Sequence, residues 1–120
     1  MKILIADDSR VMRQIVTRTL RQAGFEGHDL VEAADGREAF DKTVAESPDL
    51  VISDWNMPEM TGVEVLRKLR AAGNDVTFGF VTSEWTPEMQ AQAEAAGAEF
   101  FIIKPFTAER FDEVFSGILG

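Results

Sequence analysis

Five short apolar runs recur along this chain, at residues 2–6, 28–33, 50–54, 76–81 and 100–103, and each is followed by a stretch whose apolar residues fall at helical spacing. The third run constrains the fold most. Leu50, Val51 and Ile52 stand together between Pro48 and Pro58 with no polar alternation. A β-branched run of that kind reads as a strand buried on both faces. Strands that alternate with helices through short loops imply a parallel sheet covered on both sides. The reading is therefore an α/β chain of (βα)5 form, a doubly wound five-stranded parallel sheet in a single domain spanning residues 1–120.

The boundaries carry recognisable chemistry. Ser9 is placed to cap a first helix with Met12, Ile15, Val16, Thr19 and Leu20 inward, and Gly24 stops it. Asp35 and Glu38 have capping-box spacing before a helix whose stripe is Ala39, Phe40, Thr43 and Val44, closed by Pro48. Thr61 and Glu64 repeat that spacing before Val63, Leu66 and Leu69, with a stop near Gly73. Thr86 and Pro87 are a cap and first-position pair for a fourth helix through Met89 and Ala93, ending at Gly97. That helix is rich in Ala and Gln and has a thin apolar stripe, so loose packing is expected. Thr107 caps a last helix carrying Phe111, Val114, Phe115 and Ile118. The second strand is the least apolar and reads as an edge. Gly79 lies inside the fourth strand, where a glycine marks a close backbone approach.

Composition excludes several function classes. A formal net charge of −9 is wrong for a generic nucleic-acid binder, which needs Lys and Arg against phosphate. No apolar run reaches the ~20 residues of a membrane span. The chain has no cysteine, hence no disulfide framework or thiolate metal site. A strand-like MKILIADD at the start leaves no room for a signal peptide, and a cytoplasmic protein is expected.

In a parallel sheet the C-terminal strand ends share one edge, and ligands bind there. Four of the five strands finish in polar or charged residues: Asp7 with Asp8, Asp54, Thr82 and Lys104. If the first and third strands are neighbours, three carboxylates meet in one cleft. Such acids raise one another's pKa unless a cation neutralises them. A hard divalent ion fits, Mg²⁺ foremost, because it takes carboxylates together with phosphate and water. A hydroxyl and an ammonium beside it suit a phosphoryl group. Taken alone, Asp7 and Asp8 would read equally as helix N-terminal acids.

This ordered set resembles the response-regulator receiver family, and its single-domain chemotaxis type in particular. The motifs are Asp7-Asp8, then Asp54-Trp55-Asn56-Met57-Pro58 with Gly62, then Thr82, then Lys104-Pro105-Phe106, and the resemblance covers essentially the whole chain. It implies a flavodoxin-like fold with strand order 2-1-3-4-5, an order known for this family and not obtained from spacing. It implies that Asp54 accepts a phosphoryl group from a histidine kinase. Asp7, Asp8, Asp54 and the main-chain carbonyl of Asn56 would hold Mg²⁺. Lys104 would pair with the phosphoryl group, Thr82 would move to bind it, and the Lys104–Pro105 bond would be cis. The chain would be a phosphorylation-driven switch with weak self-phosphorylation and self-dephosphorylation chemistry, not an enzyme with a separate substrate. Its changing face would lie on the fourth helix, fifth strand and fifth helix, with a downstream protein such as a flagellar motor switch as reader, no direct contact with nucleic acid or membrane, and a monomeric state.

Three positions refine the reading. Phe101 stands three residues before the lysine, where chemotaxis relatives carry Tyr; packing inward survives and a hydroxyl contact does not. Asn56 and Glu84 occupy the positions that tune phosphoryl lifetime in the family. Trp85 opens the fourth helix, either as an exposed anchor for a partner or packed over Pro87. Met57 and Met60 read as packing residues, His28 as a solvated histidine, and Arg10 and Arg13 as solvated helix charges. Two other functions share the acidic edge. A Mg²⁺-dependent aspartyl phosphatase would carry a second acid two residues after the nucleophile, where Asn56 stands here. A pseudo-receiver would lack part of the acidic set. A receiver working in a phosphorelay, or cut from a longer response regulator, fits the same motifs.

Overall fold

The computed structural model describes residues 1–119. Its elements run β1 (Lys2–Ala6), α1 (Arg10–Gln22), β2 (Asp29–Ala33), α2 (Gly36–Glu46), β3 (Leu50–Ser53), α3 (Gly62–Ala71), β4 (Thr77–Thr82), α4 (Pro87–Ala95), β5 (Phe100–Ile103) and α5 (Ala108–Leu119). All strand pairs are parallel, in the order β2-β1-β3-β4-β5. Among the described residues no helix is long and apolar enough to cross a membrane.

Successive side chains of a strand point to opposite faces, and both faces here are covered. Leu4, Val51, Phe78 and Phe80 pack against Val63, Leu66 and Leu69 of α3 and Ala93 of α4. Ile3, Ile5, Leu50, Ile52 and Val81 pack against Val16 and Leu20 of α1 and Phe111 and Phe115 of α5. The uninterrupted apolar run of β3 is thus the sum of two half-cores, which is why it lacks polar alternation.

The caps form as their residues predict. The Ser9 hydroxyl accepts from the Met12 N–H at 3.2 Å, and Thr61 and Glu64 make a complete reciprocal box. At α2 the box is displaced by one residue: Asp35 accepts from the Glu38 N–H, while the Glu38 carboxylate reaches the Ala34 N–H. Thr86 accepts from the Met89 N–H, and Thr107 from the Arg110 N–H. The Ala-rich α4 buries Ala93 alone. Gly79 sits opposite Phe100 in the β4–β5 register, and a Cβ on it would run into the Phe100 ring. The glycine therefore makes room for an aromatic ring on the neighbouring strand.

Several expectations need correction. Val44 is exposed, because the buried stripe of α2 is narrower than its spacing suggests and rests on Ala39 and Thr43. Asp54 lies one residue beyond β3 instead of on it, and β2 and β4 each begin one residue later than read. His28 is half-buried, and its Nδ1 is sealed without a partner.

Candidate functional site

The register delivers the acids to one level. Ala6 pairs with Ser53, so the residues that follow, Asp7 and Asp54, leave the sheet side by side. The ladder extends one step further, since the Asp54 N–H donates to the Ala6 carbonyl at 2.8 Å and the Asp7 N–H to the Ala33 carbonyl at 3.0 Å. Asp8 follows in the turn before α1. One carboxylate oxygen from each of Asp7, Asp8 and Asp54 lies within 4.8 Å of the others.

The fifth strand brings the cation. Thr82 pairs with Ile103, and the Lys104 N–H donates to the Thr82 carbonyl at 2.8 Å. The Lys104 ammonium then bridges the cleft, 3.1 Å from Asp7 Oδ2 and 3.5 Å from Asp54 Oδ2. The Lys104–Pro105 bond is cis. The other oxygens are also engaged: Asp7 Oδ1 accepts from the Ser9 N–H at 2.9 Å and Asp54 Oδ1 from the Trp55 N–H at 2.7 Å. Thr82 is buried, and its hydroxyl accepts a long 3.3 Å bond from the Glu84 N–H. Gly62 closes the loop after Asp54. Its N–H donates to the Trp55 carbonyl at 2.7 Å, and a Cβ there would strike the Asp54 carbonyl.

The electrostatics follow from crowding. The Asp54 carboxyl is held above its ordinary pKa, chiefly by burial, with Asp7 adding to the rise while Lys104 and the Trp55 N–H oppose it. One ammonium faces three carboxylates, so the cleft keeps an excess of negative charge. An all-oxygen donor set of that charge suits a hard divalent cation such as Mg²⁺.

The remaining singled-out residues are placed as follows. Asn56 and Glu84 are exposed at the rim. Trp55 is buried, with its ring 4.9 Å from Phe80 and 6.2 Å from Phe101. Phe101 is half-buried and points inward, 6.0 Å from Phe80. Trp85 is 46 % exposed, and its indole N–H donates to the Gln90 side-chain oxygen at 2.7 Å. Met57 is buried and Met60 partly so. Arg10 is exposed, as read. Arg13 is not a solvated charge: its side chain is 13 % exposed and donates both to the Asp7 carbonyl and to Glu32. Helical charge spacing gave no sign of this, because both partners lie off the helix.

Comparison with known proteins agrees with the geometry. Residues 3–116 match the response regulator receiver domain family. The chain is 40 % identical to a chemotaxis protein CheY homolog of Campylobacter jejuni, over all of this chain and 93 % of that one. It is 38 % identical to chemotaxis protein CheY1 of Helicobacter pylori, over all of this chain and 98 % of that one. Among solved structures, Vibrio cholerae CheY4 superimposes with a TM-score of 0.84 at 37 % identity, covering 98 % of each chain. A DNA-binding response regulator of Staphylococcus aureus shares the fold with a TM-score of 0.87 at 23 % identity. This chain belongs to the response-regulator receiver family, as a signalling switch of the chemotaxis type.

Proposed function

We propose that residues 1–120 form one receiver domain in which Asp54 accepts a phosphoryl group from the phosphohistidine of a kinase. The observation that carries this is the convergence of three carboxylates within 4.8 Å of one another, two of them paired with the Lys104 ammonium, at the end of a buried parallel sheet. Asp7, Asp8 and Asp54, with the Asn56 main-chain carbonyl, would hold Mg²⁺. When bound, Mg²⁺ offsets negative charge on the transferred phosphoryl oxygens.

The chain's own groups do the rest. The backbone N–H of Trp55 and the Lys104 ammonium fix the Asp54 carboxylate and orient it. Attack forms the bond from an Asp54 oxygen to phosphorus as the nitrogen–phosphorus bond breaks, and the imidazole leaves with the electron pair. Such a transfer depends on positioning and charge stabilisation more than on covalent assistance. Lys104 then pairs with the phosphoryl group. The Thr82 hydroxyl, held only by its long bond from Glu84, turns to donate to it. Asn56 and Glu84, at the rim, control access of the water that later hydrolyses the acyl phosphate.

Readout follows from the space Thr82 vacates. Phe101 moves deeper behind it and reshapes the face made by α4, β5 and α5. That face carries a groove of about 410 Å³ lined by Gln90, Glu94, Phe101, Arg110 and Val114, with the exposed Trp85 nearby. A downstream protein would dock there, in keeping with the chemotaxis relatives and a motor-type output. The domain would work as a cytoplasmic monomer.

Intact mass spectrometry tests the proposal. A small acyl phosphate or phosphoramidate is mixed with the protein, with Mg²⁺ or with a chelator. One phosphoryl group gained with Mg²⁺, and lost in Asp54→Asn, is expected. No gain at saturating donor overturns the phosphoreceiver assignment. Rapid multiple turnover of phosphomonoesters would make the chain a phosphatase.

A further inference from the structure

Arg13 lies outside the set of groups that touch the phosphoryl site, yet it is tied to that site. Its side chain is 13 % exposed, well below what a surface arginine on a first helical turn would show. Its Nη1 donates to the Asp7 main-chain carbonyl at 2.7 Å, and its Nε donates to Glu32 Oε1 at 2.9 Å. Glu32 belongs to the edge strand β2, opposite Ile5 in the register. Arg13 therefore links three segments: the end of β1, the first turns of α1 and the outer strand β2.

The Asp7 carbonyl needs such a partner. It is the first carbonyl past the end of β1, beyond the sheet ladder, and in a part-buried position it must find a donor. The carbonyl also belongs to the peptide that joins Asp7 to Asp8, so its direction sets the plane from which the Asp8 side chain departs. The other hydrogen-bonding groups of Asp7 are already fixed: N–H to Ala33, Oδ1 from Ser9 and Oδ2 from Lys104. Asp8 is exposed and depends on its backbone for its position.

We infer that Arg13, anchored by Glu32, is a positioning residue that holds the Asp7–Asp8 peptide so that Asp8 joins Asp7 and Asp54 in one cation site. The inference rests on the proposed function, since it takes the three carboxylates as the cation ligands. Guanidinium suits the task because its rigid fork serves two acceptors in fixed directions, which a lysine ammonium does not reproduce. Residues that orient metal ligands typically carry about 10- to 100-fold in affinity.

The test is a Mg²⁺ titration of the whole chain by calorimetry, alongside thermal melts in chelator. Wild type, Arg13→Ala, Arg13→Lys and Glu32→Gln are compared. Arg13→Ala is expected to weaken Mg²⁺ binding by about 10-fold or more, with Arg13→Lys and Glu32→Gln between it and wild type. Phosphorylation of Arg13→Ala by a small acyl phosphate is expected to recover at high Mg²⁺, because the acceptor itself is intact. A purely structural role would lower the melting temperature and leave the Mg²⁺ affinity of the folded protein unchanged. That result overturns the inference. If Arg13→Ala does not fold, the two conservative variants decide, and wild-type affinity in both overturns it. If wild type itself binds no Mg²⁺, the cation site fails, a different outcome from wild type binding Mg²⁺ with Arg13 variants equal to it.

Discussion

Replacing Asp54 by Asn is expected to stabilise the metal-free protein while abolishing its phosphorylation. The arithmetic is electrostatic. At an effective dielectric constant of ~20, two like charges at 4.8 Å repel by about 3.5 kcal/mol, and the Lys104–Asp54 pair at 3.5 Å returns about 4.7 kcal/mol. Removing the Asp54 charge forfeits the second quantity but relieves its repulsion with Asp7, a solvent-screened share with exposed Asp8, and the burial cost that raises the Asp54 pKa. The Asn amide keeps an oxygen for the Trp55 N–H. The sign of the balance follows from the raised Asp54 pKa, which means that ionised Asp54 costs the folded state stability near pH 7, and for a chain of this size each kcal/mol of relief raises the melting temperature by roughly 3–6 °C. The sign with pH follows. A carboxyl whose folded pKa is raised binds its proton more tightly in the native state, so its ionisation costs stability as pH rises from the unfolded value through the folded one. The advantage of Asp54→Asn is therefore full above the raised pKa, shrinks as the folded carboxyl protonates, and vanishes below about pH 3.8, the unfolded value. The assay is thermal unfolding in chelator from pH 4 to 8, repeated with Mg²⁺, which stabilises wild type more than the variant. A lower or equal melting temperature for Asp54→Asn in chelator at pH 7 would refute the claim that the cleft holds uncompensated charge.

Gly79→Ala should cost about 1–3 kcal/mol in denaturant unfolding, because its methyl meets the Phe100 ring. Adding Phe100→Ala should cost less in that background than in wild type, and strict additivity would deny the contact. Phe101→Ala should leave phosphorylation of Asp54 within a few-fold of wild type and remove the phosphorylation-dependent change in Trp55 emission, measured in a Trp85→Phe background because Trp85 is also a fluorophore. An unchanged response would take Phe101 out of the switch. Trp85→Ala should weaken capture of the phosphorylated chain by its output partner by about 10-fold or more if the indole is an anchor, with stability unmoved. Equal affinity would make Trp85 a surface residue closing on Gln90 alone.

The sequence is most legible where the determinant is local. Ser9, Thr61, Thr86 and Thr107 cap their helices because a cap needs only a hydroxyl and the next turn. The apolar runs mark the strands because burial on both faces leaves no place for polar alternation. The acidic edge could be anticipated because parallel strands share one end. What stayed hidden depends on contacts between distant segments. Arg13 has the sequence appearance of any helix charge, and only the β1–β2 register shows that Glu32 lies within its reach. Val44 sits at helical spacing from Phe40, but exposure was decided by how α2 lies on the sheet, which no spacing within α2 reports. His28 similarly owes its sealed Nδ1 to packing at the far end of the sheet. Gly79 was recognisable as a close approach, but its partner required the pairing of β4 with β5.

In the proposed switch, the thin packing of α4 is what would let a change at the acidic cleft reach the outer face. Ala93 is the one buried residue of that helix, so little apolar surface fastens it over the edge strand β5. Beneath it Phe101 stays half-buried and Ile103, on the same face, is exposed. The ring of Phe101 touches an aromatic group that begins at Trp55, the residue after Asp54, and passes through Phe80. Thr82 ends the strand that carries Phe80, its carbonyl accepts the Lys104 N–H, and its hydroxyl accepts a long 3.3 Å bond from the Glu84 N–H. A tightly packed α4 would hold Phe101 in one place and set a high cost on any shift. A loosely packed one leaves two positions close in free energy, which is the condition for a small chemical event to select between them. Because Phe101 carries no hydroxyl, the proposed switch would work through volume and packing alone. Under the proposed function a partner would read the shape of the groove between α4 and α5, with no new hydrogen bond from the ring.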